Sequence, residues 1–254
     1  MNRAYLVILI FTVFSVYSLK AFRFYFLVAG SGIPLVKYIC VFAQTSFVNI
    51  IVPFKAGEIF RIFCFGHLTK NYPKGFAIVL LDRFVDTLSL LAILLFANIL
   101  DKTETSAIFF LLVAVCAFLI LFYAVLHGIL VYWNEYFIKS KSSRSHLNAL
   151  IFVNKLTEVY DELRNLVNGR FFLIFMLSIF SWGIEIGSLL LCRIFFDFEQ
   201  KAFISNYLSA ALSGNNFLPL RNFILVSMGF LACVWVLSSL LLLVKKIERN
   251  KHER

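Results

Sequence analysis

Five long apolar stretches, each flanked by polar or charged residues, dominate the pattern of the chain. They lie at about 4–27, 76–100, 106–133, 171–196 and 222–244. A membrane-spanning helix needs roughly 20 predominantly apolar residues, and each stretch reaches that length. The pattern therefore predicts an all-α, polytopic membrane helix bundle that forms a single integral membrane domain over residues 1–254.

Two further apolar segments, 35–66 and 202–220, are interrupted by prolines, glycines and polar residues. We expect both to be broken or re-entrant, which brings the total to about five to seven membrane segments. In each segment an asparagine, Asn49 or Asn215, stands four residues before a proline. Because paired broken segments in corresponding halves of a chain are typical of transporter binding sites, this echo suggests an inverted repeat.

A different pattern covers residues 146–168, where apolar positions recur at steps of four and three. They are Phe152, Leu156, Val159, Leu163 and Leu166. Such spacing is typical of one apolar stripe on a helix. We interpret residues 134–170 as a cytoplasmic loop whose amphipathic helix, at about 146–168, lies on the membrane surface or against helix ends. Its role is either packing, which we favour, or the binding of a partner.

The composition agrees with a membrane protein. Charged residues make up 15% of the chain, against about 25% in ordinary soluble domains. The formal net charge of +10 would favour nucleic-acid binding in a soluble protein, but Lys and Arg also gather in the cytoplasmic loops of membrane proteins. We therefore expect no nucleic-acid partner. Because the cysteines and histidines show no metal-ligand spacing, we also expect no metal and no cofactor.

The basic regions predict an orientation in the cell (inner or cytoplasmic) membrane. They are a loop with Lys20, Arg23 and Lys37, a loop with Lys70 and Lys74, the region 134–170 and the tail KKIERNKHER. By the positive-inside rule these regions face the cytoplasm, provided that both broken segments enter and leave on one side. The prediction is a multi-pass protein with a cytoplasmic basic C-terminal tail, and it leaves the side of the N-terminus open.

The stretch NIIVPFKAGEIFRIF places three charges in an apolar context. Pro53 has no N–H and disfavours helix at the residue before it, so a new helix begins nearby with its N-terminal amides available to an anion. Lys55 and Arg61 add positive charge there. Gly57 lets another helix or a ligand approach the backbone, and Glu58 lies on the same helix face as Arg61.

A second cluster, LLDRFVDTLSLL, opens the next span with Asp82, Arg83 and Asp86. Ionisable residues inside spans are costly and are usually paired or line a cavity. We predict that Arg61 pairs with one of the two aspartates and that Glu58 pairs with Arg83. These pairs either only lock two helices together or surround a polar cavity that accepts a charged headgroup, and the sequence leaves both readings open.

Glu185 stands in the middle of the apolar stretch FSWGIEIGSLLL. A carboxyl group at such a position makes a helix-packing hydrogen bond, carries a proton or lines a cavity. We include it among the candidate substrate-binding residues. The others are Asn49, Pro53, Lys55, Gly57, Glu58, Arg61, Asp82, Arg83 and Asp86.

The order and spacing of these residues resemble the lysylphosphatidylglycerol synthase transmembrane-region family, most strongly over about residues 18–92. The matching elements are Arg23, Asn49, Pro53, the AGE-x-x-R core (Ala56, Gly57, Glu58, Arg61) and the acid-Arg-x-x-Asp pattern (Asp82, Arg83, Asp86). The resemblance implies a flippase-like membrane protein with pseudo-symmetric halves and re-entrant elements. The second half departs from the family, because SGNNFLPLRNF lacks the acid that many members carry after a Pro-Gly-Gly motif.

The resemblance implies a lipid flippase-like or transporter-like protein in cell-envelope lipid or glycolipid biosynthesis. Its partners would be the bilayer and a membrane lipid with an anionic, aminoacylated or glycan-bearing headgroup. Because the chain has no P-loop and no DxD-type nucleotide site, we do not expect an enzyme. The alternatives are a non-catalytic membrane subunit that scaffolds a cell-envelope enzyme through residues 134–170, and an integral-membrane transferase that acts on a lipid carrier.

Overall fold

The structure, a computed structural model, describes residues 3–52, 56–101, 107–139, 144–192 and 218–252. These residues form seven helices: α1 (Arg3–Val28), α2 (Leu35–Ile51), α3 (Ala56–Thr69), α4 (Tyr72–Asp101), α5 (Ala107–Lys139), α6 (Arg144–Cys192) and α7 (Leu218–His252). The described ranges contain no strand. The prediction of an all-α membrane bundle is confirmed.

Four of these helices, α1, α5, α6 and α7, contain stretches that are long and apolar enough to cross a bilayer. Helix α4 has 30 residues, or about 45 Å at 1.5 Å per residue, so it is also long enough, although three charged residues interrupt its apolar run. Over the described residues, each predicted span falls within one helix. With the shorter helices α2 and α3, the described chain agrees with about five to seven membrane segments.

Helices α2 and α3 form a short antiparallel pair. They have 17 and 14 residues, fewer than the roughly 20 that a span needs. Asn49 lies beside Glu58, and Ser46, one turn earlier in α2, lies beside Arg61, one turn later in α3. The pair therefore returns toward the end of the bundle at which it begins, as a re-entrant segment does.

The first predicted break is present between these helices. Val52 leaves the helical conformation, with φ −84° and ψ 118°, as a residue before proline is expected to do. Residues 53–55 lie outside the described part of the chain, as do residues 202–217 of the second predicted segment. Leu218 already begins α7. The second break and the inverted repeat therefore stay predictions.

The turn between α3 and α4 brings these two helices into close contact. Lys70 has a positive φ of 56°, and the chain reverses within three residues. A Cβ atom on Gly75 would lie 2.5 Å from the backbone nitrogen of Gly66, so this approach requires the absence of a side chain. The contact fixes α3 against α4 and sets Arg61 within reach of Asp82.

The amphipathic region differs from the loop expected over 134–170. Residues 134–139 end α5, and residues 146–168 are the first half of α6, which continues for 49 residues from Arg144 to Cys192. The sequence at the junction, Asn168-Gly169-Arg170, holds one helix-disfavouring glycine, which costs only about 1 kcal/mol in a helix interior. The predicted span at 171–196 therefore continues an existing helix, and the cytoplasmic placement of the region stays a prediction.

The apolar stripe of this region packs inside the bundle. Leu163 and Leu166 are buried in the main hydrophobic core, while Val153 and Tyr160 pack against Leu130 of α5. Phe152, which the spacing places on the stripe, is instead 64% exposed. The stripe thus holds α6 against its neighbours, which agrees with the packing role that we favoured.

The directions of the helices follow from their side-chain contacts. Helix α1 runs antiparallel to α6, since Lys20 lies beside Glu185 and Arg170 donates to the carbonyl oxygen of Phe26. Helix α7 runs parallel to α1. Near the end of α7, Ser239 lies 3.4 Å from Cys40, which is near the start of α2. The basic end of α7 is therefore on the side where α2 begins, as the predicted orientation requires.

Two of the basic residues assigned to a loop are inside a helix instead. Lys20 and Arg23 belong to α1, and Arg23 is only 2% exposed. The prediction of a basic loop at this position was wrong for these two residues. Their charges are held by acidic residues of α4 and α6, which makes burial in the bundle tolerable.

Candidate functional site

Arg23 is the centre of a buried ionic cluster between α1, α4 and α6. Its Nη2 atom donates to Oδ1 of Asp82 at 2.6 Å, and its Nη1 atom donates to Oδ1 of Asp86 at 2.8 Å. The same Nη1 lies 2.6 Å from the hydroxyl of Ser178, which in turn donates to Asp86 at 3.2 Å. Two carboxylates of the protein thus compensate the positive charge of Arg23.

Arg61 of α3 lies on the opposite side of Asp82 and is less well compensated. Its Nη2 atom donates to the hydroxyl of Ser46 at 2.9 Å, and its Nη1 atom is 3.8 Å from Oδ2 of Asp82. The residue is 4% exposed and its guanidinium lies over the ring of Phe24 at 5.4 Å. The predicted pairing of Arg61 with an aspartate is present, but Asp82 also serves Arg23 at shorter distance.

Glu58 and Arg83 form the outer part of the cluster. Nη1 of Arg83 lies 3.3 Å from Oε1 of Glu58, as the sequence predicted, and its Nη2 donates to Oδ2 of Asp82 at 3.0 Å. The Arg83 side chain is 41% exposed, against 3% for Arg23. Arg83 therefore forms the rim of the cluster.

Gly57 allows α2 and α3 to meet at this point. A Cβ atom on Gly57 would lie 2.6 Å from both the Cα and the side-chain oxygen of Asn49. The close approach lets the side-chain amide of Asn49 donate to Oε1 of Glu58 at 3.0 Å. Gly57 thus admits another helix, which is one of the two roles that the sequence left open, and Asn49 orients the carboxylate that faces Arg83.

Lys20 and Glu185 form a second charged pair beside the first cluster. Lys20 Nζ lies 3.3 Å from Oε2 of Glu185, whose side chain is 6% exposed. The same ammonium group lies over the rings of Tyr17 and Trp182, at 5.6 and 5.5 Å from their centroids. Trp182 connects the two parts, because its indole N–H donates to Asp86 at 3.2 Å.

A cavity of about 120 Å³ lies among these residues. Its charged and polar lining consists of Tyr17, Lys20, Arg23, Ser46, Asn49, Arg61, Asp82, Arg83 and Asp86. Water occupies about 30 Å³ per molecule in the liquid, so the cavity is large enough for a few waters or for one phosphate-sized group. Many of the residues that the sequence selected therefore converge on one space.

A family model described as "Lysylphosphatidylglycerol synthase TM region" matches residues 1–205. The chain belongs to this family. The matched range includes all the charged residues of the cluster, so the site lies within the family's membrane region. The match supports a multi-pass membrane protein with a role related to membrane lipids. No curated protein and no solved structure matches the chain.

Basic and acidic side chains are equal in number among the described residues of the site in this lysylphosphatidylglycerol synthase-like membrane region. Four bases, Lys20, Arg23, Arg61 and Arg83, face four acids, Glu58, Asp82, Asp86 and Glu185. Among these bases, Arg61 has the longest distance to a carboxylate, at 3.8 Å. The Nε atoms of the three arginines are buried, and no partner is recorded for them among the described residues. These three N–H groups are therefore buried donors on residues that line the cavity.

Sequence reasoning located most of this site but not all of it. Pro53 and Lys55, two of its candidates, lie outside the described residues. Sequence reasoning did not select Ser178 or Trp182 at all. It used Lys20 and Arg23 to predict the orientation, and Arg23 also for the family resemblance, but it placed neither among the candidate substrate-binding residues. A usable signal was the spacing of Lys20 and Arg23, three residues apart within an apolar helix, which places both on one face.

Proposed function

We propose that this membrane protein is a flippase-like or transporter-like protein that binds the headgroup of an anionic, aminoacylated or glycan-bearing lipid at Arg61. The observation that carries the proposal is the incomplete compensation of this buried guanidinium. Arg61 shares Asp82 with Arg23 and Arg83, which lie closer to that carboxylate. A headgroup phosphate would supply the acceptor oxygens that a buried arginine requires.

The size of the cavity supports a phosphate as the group that enters. At about 120 Å³, it is well below the roughly 300–1,000 Å³ of pockets that enclose drug-sized ligands. A phosphate fits such a space, whereas a sugar or an acyl chain would remain outside it. In this arrangement the glycan or aminoacyl group of a larger lipid lies toward the exposed rim, where Arg83 and Glu58 are found.

The re-entrant pair of helices supports movement of the lipid rather than static binding alone. Helices α2 and α3 are each too short to span, and they place Ser46, Asn49 and Arg61 beside the cavity. Broken segments of this kind form the substrate sites of many transporters. We propose that displacement of this pair opens the cavity, in a cell membrane whose cytoplasmic side carries the basic end of α7.

We also propose that the chain performs no chemical transformation of its own. The carboxylates at the cavity are engaged by basic residues: Asp82 and Asp86 by Arg23, and Glu58 by Arg83. A general acid or base must exchange a proton with its substrate, and ion-paired carboxylates are poor at this. The cluster is therefore better suited to binding a charged headgroup than to bond cleavage.

The test is a translocation measurement with the purified full-length chain in liposomes that contain fluorescently labelled phosphatidylglycerol. Quenching of the outer leaflet with an impermeant reductant reports how much label changes leaflet. We expect the wild type to exceed protein-free liposomes and Arg61→Ala to fall to their level. Arg164→Ala, an exposed arginine of α6, is the matched control and should behave as the wild type.

Two results would argue against the proposal in different ways. If a well-folded Arg61→Ala variant moves lipid at the wild-type rate, the assignment of the phosphate to Arg61 is wrong. If the wild type is no faster than empty liposomes with any anionic phospholipid offered, the transport function itself is wrong. The scaffolding alternative would then be favoured by co-purification of an envelope enzyme that depends on residues 134–170.

A further inference from the structure

Among the described residues, two carboxylates line the cavity, and they differ in how their oxygens are engaged. Both oxygens of Asp82 accept hydrogen bonds, Oδ1 from Arg23 at 2.6 Å and Oδ2 from Arg83 at 3.0 Å. The hydrogen bonds that described residues donate to Asp86 all go to one oxygen, Oδ1. Because both oxygens of a carboxylate accept hydrogen bonds, Asp86 keeps one oxygen for a further donor.

The free oxygen of Asp86 lies on the cavity side of its carboxylate. Three donors surround Oδ1: Nη1 of Arg23 at 2.8 Å, the hydroxyl of Ser178 at 3.2 Å and the indole nitrogen of Trp182 at 3.2 Å. No donor of the described chain lies within hydrogen-bond distance of Oδ2. The Asp86 side chain is 18% exposed. Since the donors cover Oδ1, the exposed oxygen that lines the cavity is Oδ2.

The small size of the cavity limits which donor can reach this oxygen. Arg61, at which we place the headgroup phosphate, lines the same space of about 120 Å³. A cavity of this size holds little more than the phosphate itself. A headgroup donor that reaches Oδ2 of Asp86 must therefore be attached within a few bonds of the phosphorus atom.

The neighbouring charge favours a hydroxyl over an ammonium group as this donor. The side chain of Lys20 lines the cavity together with Asp86, and its ammonium group lies over the ring of Trp182, which donates to Asp86. A second ammonium group at Asp86 would be repelled by Lys20. A hydroxyl group donates a hydrogen bond without carrying a charge, so it meets no such repulsion.

We infer that Asp86 is a specificity-determining residue, whose Oδ2 accepts a hydrogen bond from a headgroup hydroxyl next to the phosphate. The substrate is then a phospholipid with a polyol headgroup, such as glycerol or a sugar, rather than choline or ethanolamine. The hydroxyl keeps its proton in this contact, and Asp86 keeps its ion pair with Arg23. This inference rests on the proposed function, because it requires the phosphate to lie at Arg61.

Two dioctanoyl lipids of equal charge test the inference. Phosphatidylglycerol has hydroxyls on its headgroup, and phosphatidylpropanol has the same carbon chain without them. Titration calorimetry on the full-length chain in detergent micelles gives both dissociation constants, and protein-free micelles correct for partition into the detergent. We expect the wild type to bind phosphatidylglycerol about tenfold more tightly, because hydrogen bonds to charged groups are among the strongest in proteins. Equal affinities would overturn the inference and leave the proposed function intact.

The position of the hydroxyl is tested with two further headgroups, each joined to the phosphate through its first carbon. 1,2-Propanediol carries its free hydroxyl on the second carbon, and 1,3-propanediol carries it on the third. We expect the first lipid to bind as tightly as phosphatidylglycerol and the second no more tightly than phosphatidylpropanol, because the cavity has little room beyond the phosphate. The reverse order would contradict a hydroxyl placed next to the phosphate.

Asp86→Asn assigns the hydroxyl to this residue. The donors around Oδ1 hold the amide oxygen at that position, so the amide nitrogen replaces Oδ2 and cannot accept a hydrogen bond. Because loss of a negative charge strengthens the binding of both lipids, the readout is the ratio of their dissociation constants. We expect this ratio to fall from about ten to about three or less, since hydrogen bonds between neutral groups are weaker.

Asp161→Asn, the same change at an exposed position of α6, is the control and should keep the wild-type ratio. An unchanged ratio in Asp86→Asn would overturn the assignment to Asp86. If Asp86→Asn fails to fold, Asp86→Glu retains the charge but moves the free oxygen by one methylene group. It should also lower the ratio, and an unchanged ratio would contradict the assignment in the same way.

Two other results have separate meanings. If the wild type binds neither phosphatidylglycerol nor phosphatidylpropanol, the proposed function is contradicted and this inference loses its basis. If dioctanoyl phosphatidylethanolamine binds more tightly than phosphatidylglycerol, the acceptor at Asp86 takes an ammonium group and the inferred hydroxyl is wrong. The comparison of headgroups in the wild type therefore distinguishes failure of the inference from failure of the proposed function.

Discussion

Arg23 Nη2 and Asp82 Oδ1 lie 2.6 Å apart although 59 residues separate them in the chain. Both side chains are almost fully buried, at 3% and 1% exposed. Removing one partner of a buried ion pair leaves the other charge without compensation. This contact therefore fixes α1 to α4 independently of any ligand.

Replacement of Arg23 by methionine should destabilise the protein strongly. Arg23→Met keeps the length and apolar stem of the side chain but leaves Asp86 without its closest cation. We expect a loss of about 3 kcal/mol or more in the free energy of unfolding, measured by denaturant titration in detergent. Lys139→Met removes a cation that is 76% exposed and should have no measurable effect. Equal stability of the two variants would contradict a structural role for the Arg23 contacts.

Substitution at Gly57 tests the close approach of α2 and α3. The added methyl group of Gly57→Ala would lie 2.6 Å from the Cα of Asn49, so the helices must separate. We expect a loss of about 1–3 kcal/mol in the free energy of unfolding and loss of lipid translocation. Gly128→Ala in α5, where a Cβ atom has no neighbour within 4 Å, should be neutral or slightly stabilising because alanine favours helix. A neutral Gly57→Ala would indicate that the pair is not closely packed.

Glu58→Gln tests whether Glu58 positions Arg83 or binds a cationic headgroup itself. The amide keeps an oxygen for the side chain of Asn49 but removes one negative charge beside the cavity. The site then carries a formal charge of +1, and we expect dioctanoyl phosphatidylglycerol to bind about three- to tenfold more tightly at low salt. Weaker binding would show instead that Glu58 contacts the ligand. Glu135→Gln, whose side chain is 63% exposed, is the control.

The contacts of this site that could be predicted from sequence are those between elements that are adjacent in the chain. Glu58 and Arg83 could be paired because each interrupts an apolar stretch, and two such stretches joined by a short turn pack together. The break at Pro53 followed from the geometry of proline alone. These inferences depend on neighbouring elements, which sequence order brings together.

The contacts of Arg23 and Lys20 could not be predicted in the same way. Both pair with residues on helices that are distant in sequence, and positive charge near the end of an apolar run is also typical of a loop. Only the packing of α1 against α4 and α6 decides between these readings. The continuous α6 was missed for a related reason, since a change from an amphipathic to an apolar pattern resembles a loop boundary.

The re-entrant path of α2 and α3 predicts which residues face the same side of the membrane. Lys70, in the turn after α3, and Lys245, near the end of α7, should be on one side, and Arg221, near the start of α7, on the other. Single cysteines introduced as Lys70→Cys, Lys245→Cys and Arg221→Cys in a background without native cysteines are suitable probes, because all three positions are exposed. A membrane-impermeant maleimide added to spheroplasts and to inside-out vesicles measures the side of each.

We expect Lys70→Cys and Lys245→Cys to react only in inside-out vesicles, because the basic ends of the bundle face the cytoplasm. Arg221→Cys should react only in spheroplasts. If Lys70→Cys and Lys245→Cys react from opposite sides, α2 and α3 together cross the membrane and the re-entrant assignment is wrong. If both react from outside while Arg221→Cys reacts from inside, the re-entrant path stands and the orientation is reversed. The pattern of three labels therefore separates the path of the chain from its orientation.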